Sequence, residues 1–209
     1  MRIARAGLPS IFCLAFMAAG GYIVSWVITV ILLFPLALSL WFYRDPDRAP
    51  ASECGEDAWL SPADGRVVEV EEAFDQYAGK TTKIGIFMNG FDVHVNRFPS
   101  EGNVEEIVYV PGKKWFAIAP KASEINERLY VRAQTPFGKT TVVQIAGIMA
   151  RRIACYTKSG ARLARGERYG MIKLGSKVDV YLPDSVAPAV KTGDRVKAGE
   201  SAIGVVKDQ

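Results

Sequence analysis

Histidine occurs once in this sequence, at His94. A mechanism that needs an imidazole near neutral pH must therefore use that residue. Cysteine is nearly as scarce: Cys13, Cys54 and Cys155 stand without any CxxC or Cys/His spacing. That argues against a structural zinc site, and no metal is expected. Cys13 lies in an apolar run, and the remaining pair gives no disulfide framework, as in a chain facing a reducing compartment. Acidic residues are missing from the N-terminal stretch, all 22 lying at or after Asp45. Only Arg2 and Arg5 of the 26 Lys and Arg precede the uncharged run 8–43, which leaves 24 basic against 22 acidic residues beyond it. So even a balance gives no concentrated basic face, and no nucleic-acid partner is expected. Long amphipathic helices are hard to find, and no G-x-S-x-G elbow supports a hydrolase.

What is abundant is apolar sequence in one place. Residues 8–43 run for 36 positions without a charge. A transmembrane helix needs about 20 apolar residues, so the run exceeds one simple span and exceeds a signal-peptide core. Gly20-Gly21 divides it into a short first piece and a second piece long enough to span. Arg2 and Arg5 flank one end, and Arg44 and Arg48 the other. Positive flanks at both ends favour a hairpin that enters and leaves on the cytoplasmic side; a single span is the competing arrangement. Trp41, Phe42 and Tyr43 read as an interfacial aromatic belt. The division expected is an anchor over 1–43, a Pro- and Gly-containing linker over 44–58, and a globular domain over 59–209.

That domain is a series of short β-rich runs punctuated by glycine and proline: 65–70, 82–88, 104–110, 129–133, 139–145, 153–156, 171–182 and 202–206. The pattern predicts a mostly-β barrel or sandwich behind the helical anchor. Residues 122–128 have room for a helical turn or two. The segment VAPAVKTGDRVKAGESAIGVV (186–206) is similar to the hammerhead strands of biotinyl and lipoyl carrier domains, but no Met-Lys-Met hairpin accompanies it.

Three residues carry candidate chemistry. Asp64 sits in a Pro-Ala-Asp-Gly turn, where the plain role is an Asx contact. His94 lies in FMNGFDVHVNRFP. Ser176 follows Gly175 within MIKLGSKVDVYL, whose alternation predicts a single strand over 171–182 with a bulge or bend at the glycine. Taken together, Asp64, His94 and Ser176 supply an orienting carboxylate, a general base and a nucleophile. Such an ordered trio is weak by itself.

WFYRDPDR (41–48), SPADGRV (61–67), FMNGFDVHVNR (87–97), AGIMARRI (146–153) and GERYGMIKLGSKVDVYLP (166–183) resemble, in order, the motifs of phosphatidylserine decarboxylases, above all the short membrane-anchored bacterial form. The resemblance implies a proenzyme that cuts itself between Gly175 and Ser176. Large (1–175) and small (176–209) chains would then remain together as a heterodimer, with a homodimer of these left open. It implies a covalent pyruvoyl cofactor made from Ser176, which forms a Schiff base with phosphatidylserine and yields phosphatidylethanolamine and carbon dioxide. Ser176, His94 and Asp64 take the catalytic roles. The implied setting is the inner membrane, with the bilayer as partner and the catalytic domain facing the cytoplasm. Two positions differ from the pattern: Arg97 stands where many members have a second histidine, and Lys177 where longer members have threonine.

Arg151 and Arg152, with Lys113 and Lys114, are candidates to hold the substrate phosphate, at most one of each pair pointing inward from a strand. A solvated basic rim is the other role open to them. Two rival functions remain: a membrane-tethered serine hydrolase using the same trio, and a non-enzymatic carrier-like domain.

Overall fold

The computed structural model describes residues 2–207 except 53, 114, 116–121, 148–152 and 174. The chain divides into two compact units, Met1–Asp47 and Arg48–Gln209.

The first unit is a helical hairpin. Strand β1 (Arg2–Ile3) leads through a 3-10 turn into α1 (Leu8–Val24), followed by α2 (Trp26–Phe42) and β2 (Arg44–Asp45). The break falls at Ser25 rather than at Gly20-Gly21. Ser25 is extended, and its Oγ accepts the Val27 N–H at 3.3 Å, so it ends one helix and caps the next. Gly21 instead lies inside α1, where an added Cβ would sit 3.2 Å from Ile28 Cγ2; its missing side chain lets the helices approach. The two ends meet, because β1 pairs antiparallel with β2 through Arg2↔Asp45 and Ile3↔Arg44. Residues Arg5–Val24 are long and apolar enough to cross a membrane, whereas α2, with 17 residues, reaches about 25 Å.

The second unit is mostly β. Its strands are β3 (Trp59–Leu60), β4 (Gly65–Asp75), β5 (Gly79–Met88), β6 (Val95–Arg97), β7 (Gly102–Val110), β8 (Arg128–Thr135), β9 (Gly138–Ile145), β10 (Ile153–Cys155), β11 (Arg162–Leu163), β12 (Arg168–Ile172), β13 (Ser176–Pro183), β14 (Val186–Pro188), β15 (Arg195–Val196) and β16 (Ala202–Val206), with a short α3 (Ala122–Ile125) before β8. Among the described residues they form one eight-stranded sheet, in order β11-β7-β8-β9-β13-β5-β4-β15, and two three-stranded sheets, β10-β12-β6 and β14-β16-β3. Every paired neighbour is antiparallel.

The core fills the space on one face of the large sheet. Val67, Ile84, Ile86, Val142, Val178, Val180 and Leu182 point into it, and Trp59, Tyr169, Ile172 and Ile203 of the small sheets close it from the other side. Each fully buried aliphatic contributes about 1.5–3 kcal/mol relative to exposure. Nothing in this strand order confirms the carrier-domain likeness: the segment 186–206 divides between sheets, β15 on the large one and β14 and β16 on a small one.

The run 171–182 is not one strand. It ends in β12, in a small sheet, and resumes as β13 in the middle of the large sheet. Gly175 adopts φ +57°, a left-handed conformation that interrupts the ladder. Ser176 is therefore the first residue of a central strand, at the joint between two sheets.

Candidate active site

Ser176 pairs with Met88 at the end of β5, is fully buried, and its Oγ has no hydrogen-bond partner among the described residues. A buried hydroxyl without a partner is unfavourable by about 1–3 kcal/mol, and it calls for a physical reason, of which a reactive site is one. Before it, Gly175 is open: a Cβ placed there would meet nothing within 4 Å.

His94 lies at the end of the loop that leaves β5, next to β6. Asn89 and Asp92 close that loop reciprocally. The Asn89 N–H donates to Asp92 Oδ2 at 2.9 Å and the Phe91 N–H to Asn89 Oδ1 at 2.7 Å. The chain then enters β6, and the His94 carbonyl accepts the Ile172 N–H at 3.3 Å. The His94 backbone is thus tied to the strand that runs into the Gly175-Ser176 joint. The imidazole is fully buried, and Nδ1 lies 2.9 Å from the Asp92 carbonyl. A carbonyl can only accept, so the proton of the neutral ring is on Nδ1 and the lone pair is on Nε2.

Asp64 occupies the turn before β4. Gly65 holds φ +146° there, and a Cβ on it would collide with the Phe87 carbonyl. The Asp64 carboxylate accepts two bonds from Arg48, Nη1 to Oδ1 at 2.5 Å and Nη2 to Oδ2 at 2.8 Å. It also accepts the Ala198 N–H on Oδ1 at 2.8 Å and the Val93 N–H on Oδ2 at 3.4 Å. Its link to His94 runs through the backbone of the preceding residue. Asp64 and Arg48 are both largely buried, so this is a desolvated bidentate pair. A cavity of about 550 Å³ opens beside it, lined by Asp64, Asp92, Arg195 and Glu200 among others.

Two buried amides lie on the core side near Ser176. Gln144 Nε2 donates to Asn96 Oδ1 at 2.7 Å, and Asn96 Nδ2 lies 3.6 Å from the sulfur of Met88, the residue opposite Ser176. Both amides are fully buried.

A family model described as phosphatidylserine decarboxylase matches residues 36–204. The chain belongs to the phosphatidylserine decarboxylase family. It is 46% identical to the phosphatidylserine decarboxylase proenzyme of Nitratidesulfovibrio vulgaris, an alignment covering 96% of this chain and 93% of that one. The proenzyme of Burkholderia mallei is 43% identical, covering 99% and 96%, and that of Ralstonia pickettii 46%, covering 94% and 92%.

Against this family background, the other face of β13 carries a network that sequence reasoning missed. Lys177 Nζ lies 2.5 Å from Glu69 Oε2 and 3.0 Å from Asp179 Oδ1, and it donates to Ser123 Oγ at 3.1 Å. Ser123 Oγ in turn donates to Asp179 Oδ2 at 2.8 Å, and Lys83 Nζ lies 3.0 Å from Glu69 Oε1. Burial pushes the Asp179 carboxyl up, against the pull of Lys177 and Lys83. Burial also acts upward on Glu69, but the bonds to Lys177 and Lys83 outweigh it and hold that carboxyl below its ordinary range. The alternation of 171–182 marked Lys177 and Asp179 as a polar face; α3 is what covers them.

Arg48, Asn96 and Gln144 were also missed. Gln144 left a trace in the sequence, an amide on the core-facing register of an otherwise β-branched strand. The proposed phosphate ligands Arg151, Arg152 and Lys114 lie outside the described residues. Lys113 is exposed, with its N–H bonded to the Ile125 carbonyl.

Proposed function

We propose that this chain is a proenzyme that cuts itself between Gly175 and Ser176 and then decarboxylates phosphatidylserine to phosphatidylethanolamine. The observation that carries the cut is the buried Ser176 Oγ, without a hydrogen-bond partner among the described residues, directly after an open, left-handed glycine.

His94 Nε2 takes the Ser176 proton, and Oγ attacks the Gly175 carbonyl carbon. The C–N bond breaks as the C–O bond forms, and the proton passes to the freed amine, leaving an ester. Loss of the Ser176 α-proton then breaks the Cβ–Oγ bond and releases the upstream chain as a carboxylate. The dehydroalanine left behind takes up one water and loses ammonia, giving a pyruvoyl group at the head of 176–209. The surroundings suit that group: it is small and uncharged, and Met88 and the Asn96–Gln144 amides offer a buried, uncharged lining. It supplies the electron sink that decarboxylation of an amino acid needs.

The protein's own residues do the rest. Asp64 holds the Val93 N–H and so sets the position of His94. His94 returns a proton to the substrate α-carbon after carbon dioxide leaves. The hairpin ends bring Arg2, Arg5 and Arg44 to one end of the first unit. By the preference of basic flanks for the cytoplasm, this end faces the cytoplasm, and the lipid substrate is met at the inner membrane.

Denaturing intact-mass measurement of the detergent-purified full chain, beside Ser176→Ala, tests this. The expected result is two species for the native sequence, residues 1–175 and 176–209 with an N-terminal pyruvoyl, and one for the variant. A single uncut chain in both samples overturns it and favours a hydrolase or carrier-like domain.

A further inference from the structure

The charged cluster beneath β13 has no role in the chemistry above, yet it begins at the second residue past the proposed cut. We infer that Lys177, with Asp179, Glu69, Lys83 and Ser123, is a clamp that holds the new end of the small chain after cleavage, so that Lys177 is a positioning residue for decarboxylation. The inference rests on the cut falling at Gly175-Ser176.

The need for a clamp follows from the cut itself. Before cleavage Ser176 is tethered through Gly175 to β12. Afterwards residue 176 is a chain end that has also lost its N–H, along with any ladder bond that group donated. Strand ends fray, and here the fraying end would carry the reacting carbonyl.

Lys177 is placed to prevent this. Its side chain is 5% exposed and joins three elements that stay with the large chain or cover it: Glu69 of β4 at 2.5 Å, Ser123 of α3 at 3.1 Å and, through Asp179 and Glu69, Lys83 of β5. Gly85 of β5 leaves the space through which Lys177 passes, since a Cβ there would come 2.5 Å from Lys177 Cε. The same residues fix register. A slip of one position would turn Lys177 and Asp179 into the apolar core and Val178 and Val180 out of it. Salt bridges of this kind gain little stability over apolar replacements, whereas specification of register is their best-attested use.

The test uses full-length enzyme in detergent with phosphatidylserine in mixed micelles, and three variants: Lys177→Met, Lys177→Arg and Ser123→Ala. Ser123→Ala removes the bridging hydroxyl without stranding a charge, so it serves if Lys177→Met folds poorly. Both Lys177→Met and Ser123→Ala are expected to complete the cut. Per cut molecule, kcat should fall about tenfold or more for Lys177→Met and less for Ser123→Ala, with KM within about twofold, as a small misplacement of a reacting group produces. Amide exchange at 177–180 should quicken in both, and Lys177→Arg should restore part of kcat. Unchanged kcat per cut molecule, unchanged exchange, or a change confined to KM overturns the clamp. Failure of both variants to cut also overturns it, by moving the network into processing. If the unsubstituted chain itself is uncut, the cleavage reading fails first and the clamp with it.

Discussion

Replacing Asp64 by Asn separates the structural role of this residue from its role in positioning His94. Among the described residues, every hydrogen-bond partner of the carboxylate is a donor: Arg48 Nη1 and the Ala198 N–H on Oδ1, and Arg48 Nη2 and the Val93 N–H on Oδ2. Asn has one oxygen to offer, so its NH₂ must point at two donors. The cheaper orientation keeps oxygen toward the short bonds on the Oδ1 side and turns NH₂ toward Val93, whose bond is the longest at 3.4 Å. Two hydrogen bonds are lost and donors are set against donors. Arg48 is left with the remaining bond, the Ala198 carbonyl at 3.1 Å and Glu200 at 3.4 Å. Breaking a buried ion pair from one side costs about 3–5 kcal/mol; with these residual partners we expect the lower end, about 3 kcal/mol. The perturbation falls on the amide that precedes His94. Loss of one hydrogen bond at about 1–1.5 kcal/mol predicts cleavage slowed about tenfold. Stability is measured by denaturant unfolding in a Ser176→Ala background, so that one covalent species is compared, and cleavage by the time course of the large chain after synthesis. A cleavage rate within twofold of the unsubstituted chain, with stability lost as expected, would make Asp64 a structural staple only. No loss of either would refute the ion-pair reasoning itself.

Two further outcomes are expected. His94→Ala removes the one imidazole in the chain and should leave a full-length, folded proenzyme by intact mass; normal cleavage would remove His94 from processing. Glu69, held below its ordinary value of 4.5 by Lys177 and Lys83, contributes stability that is present above that value and lost as pH falls through its lower native one. Asp179, pushed up by burial, acts in the opposite sense, its native fold losing stability as pH rises past the ordinary value of 3.8. Glu69→Gln should therefore flatten the acid limb of a stability-versus-pH curve and leave that opposite slope; an unaltered acid limb would mean that Glu69 is not the group responsible.

The strand runs were legible either from maintained alternation, as in Arg128–Thr135, or from a β-branched run opened by glycine, as in Gly138–Ile145. The change of sheet before Ser176 was not, because MIKL and KVDVYL keep the same alternation on either side of Gly175; the strand order and the Gly175 backbone angle show it. Strand β6, with three residues, is too short to show a period. At the hairpin turn two glycines drew the boundary, yet the turn needs a cap and an extended residue, which Ser25 provides, while Gly21 serves close packing. The trio Asp64, His94 and Ser176 was visible as residue types. The Arg48 pair was invisible, since nothing local marks a guanidinium for a carboxylate 16 positions on. Lys177 and Asp179 looked solvent-facing for the same reason: their burial is created by a segment more than 50 positions away in the chain, at Ser123.

The joint at Gly175 would also let the chain be cut at the proposed bond and keep its fold. A scissile bond inside a ladder would have its ends held at strand distance by hydrogen bonds on both sides. Here the upstream end belongs to β12, paired with β6 and β10, and the downstream end to β13, paired with β5 and β9. A break between them lets the ends part without opening either sheet. The downstream segment cannot leave as a unit, because β13 lies between two strands of the upstream segment, β15 sits on β4, and β16 is held by β3. Its release would require opening both sheets and exposing Val178, Val180, Leu182 and Ile203, all fully buried. At about 1.5–3 kcal/mol for each such side chain, that loss is comparable to the whole stability of an ordinary domain. Cleavage at this bond, as proposed, would change the chemistry at residue 176 while leaving β13 in its sheet, so that only the new chain end needs the further hold that Lys177 gives.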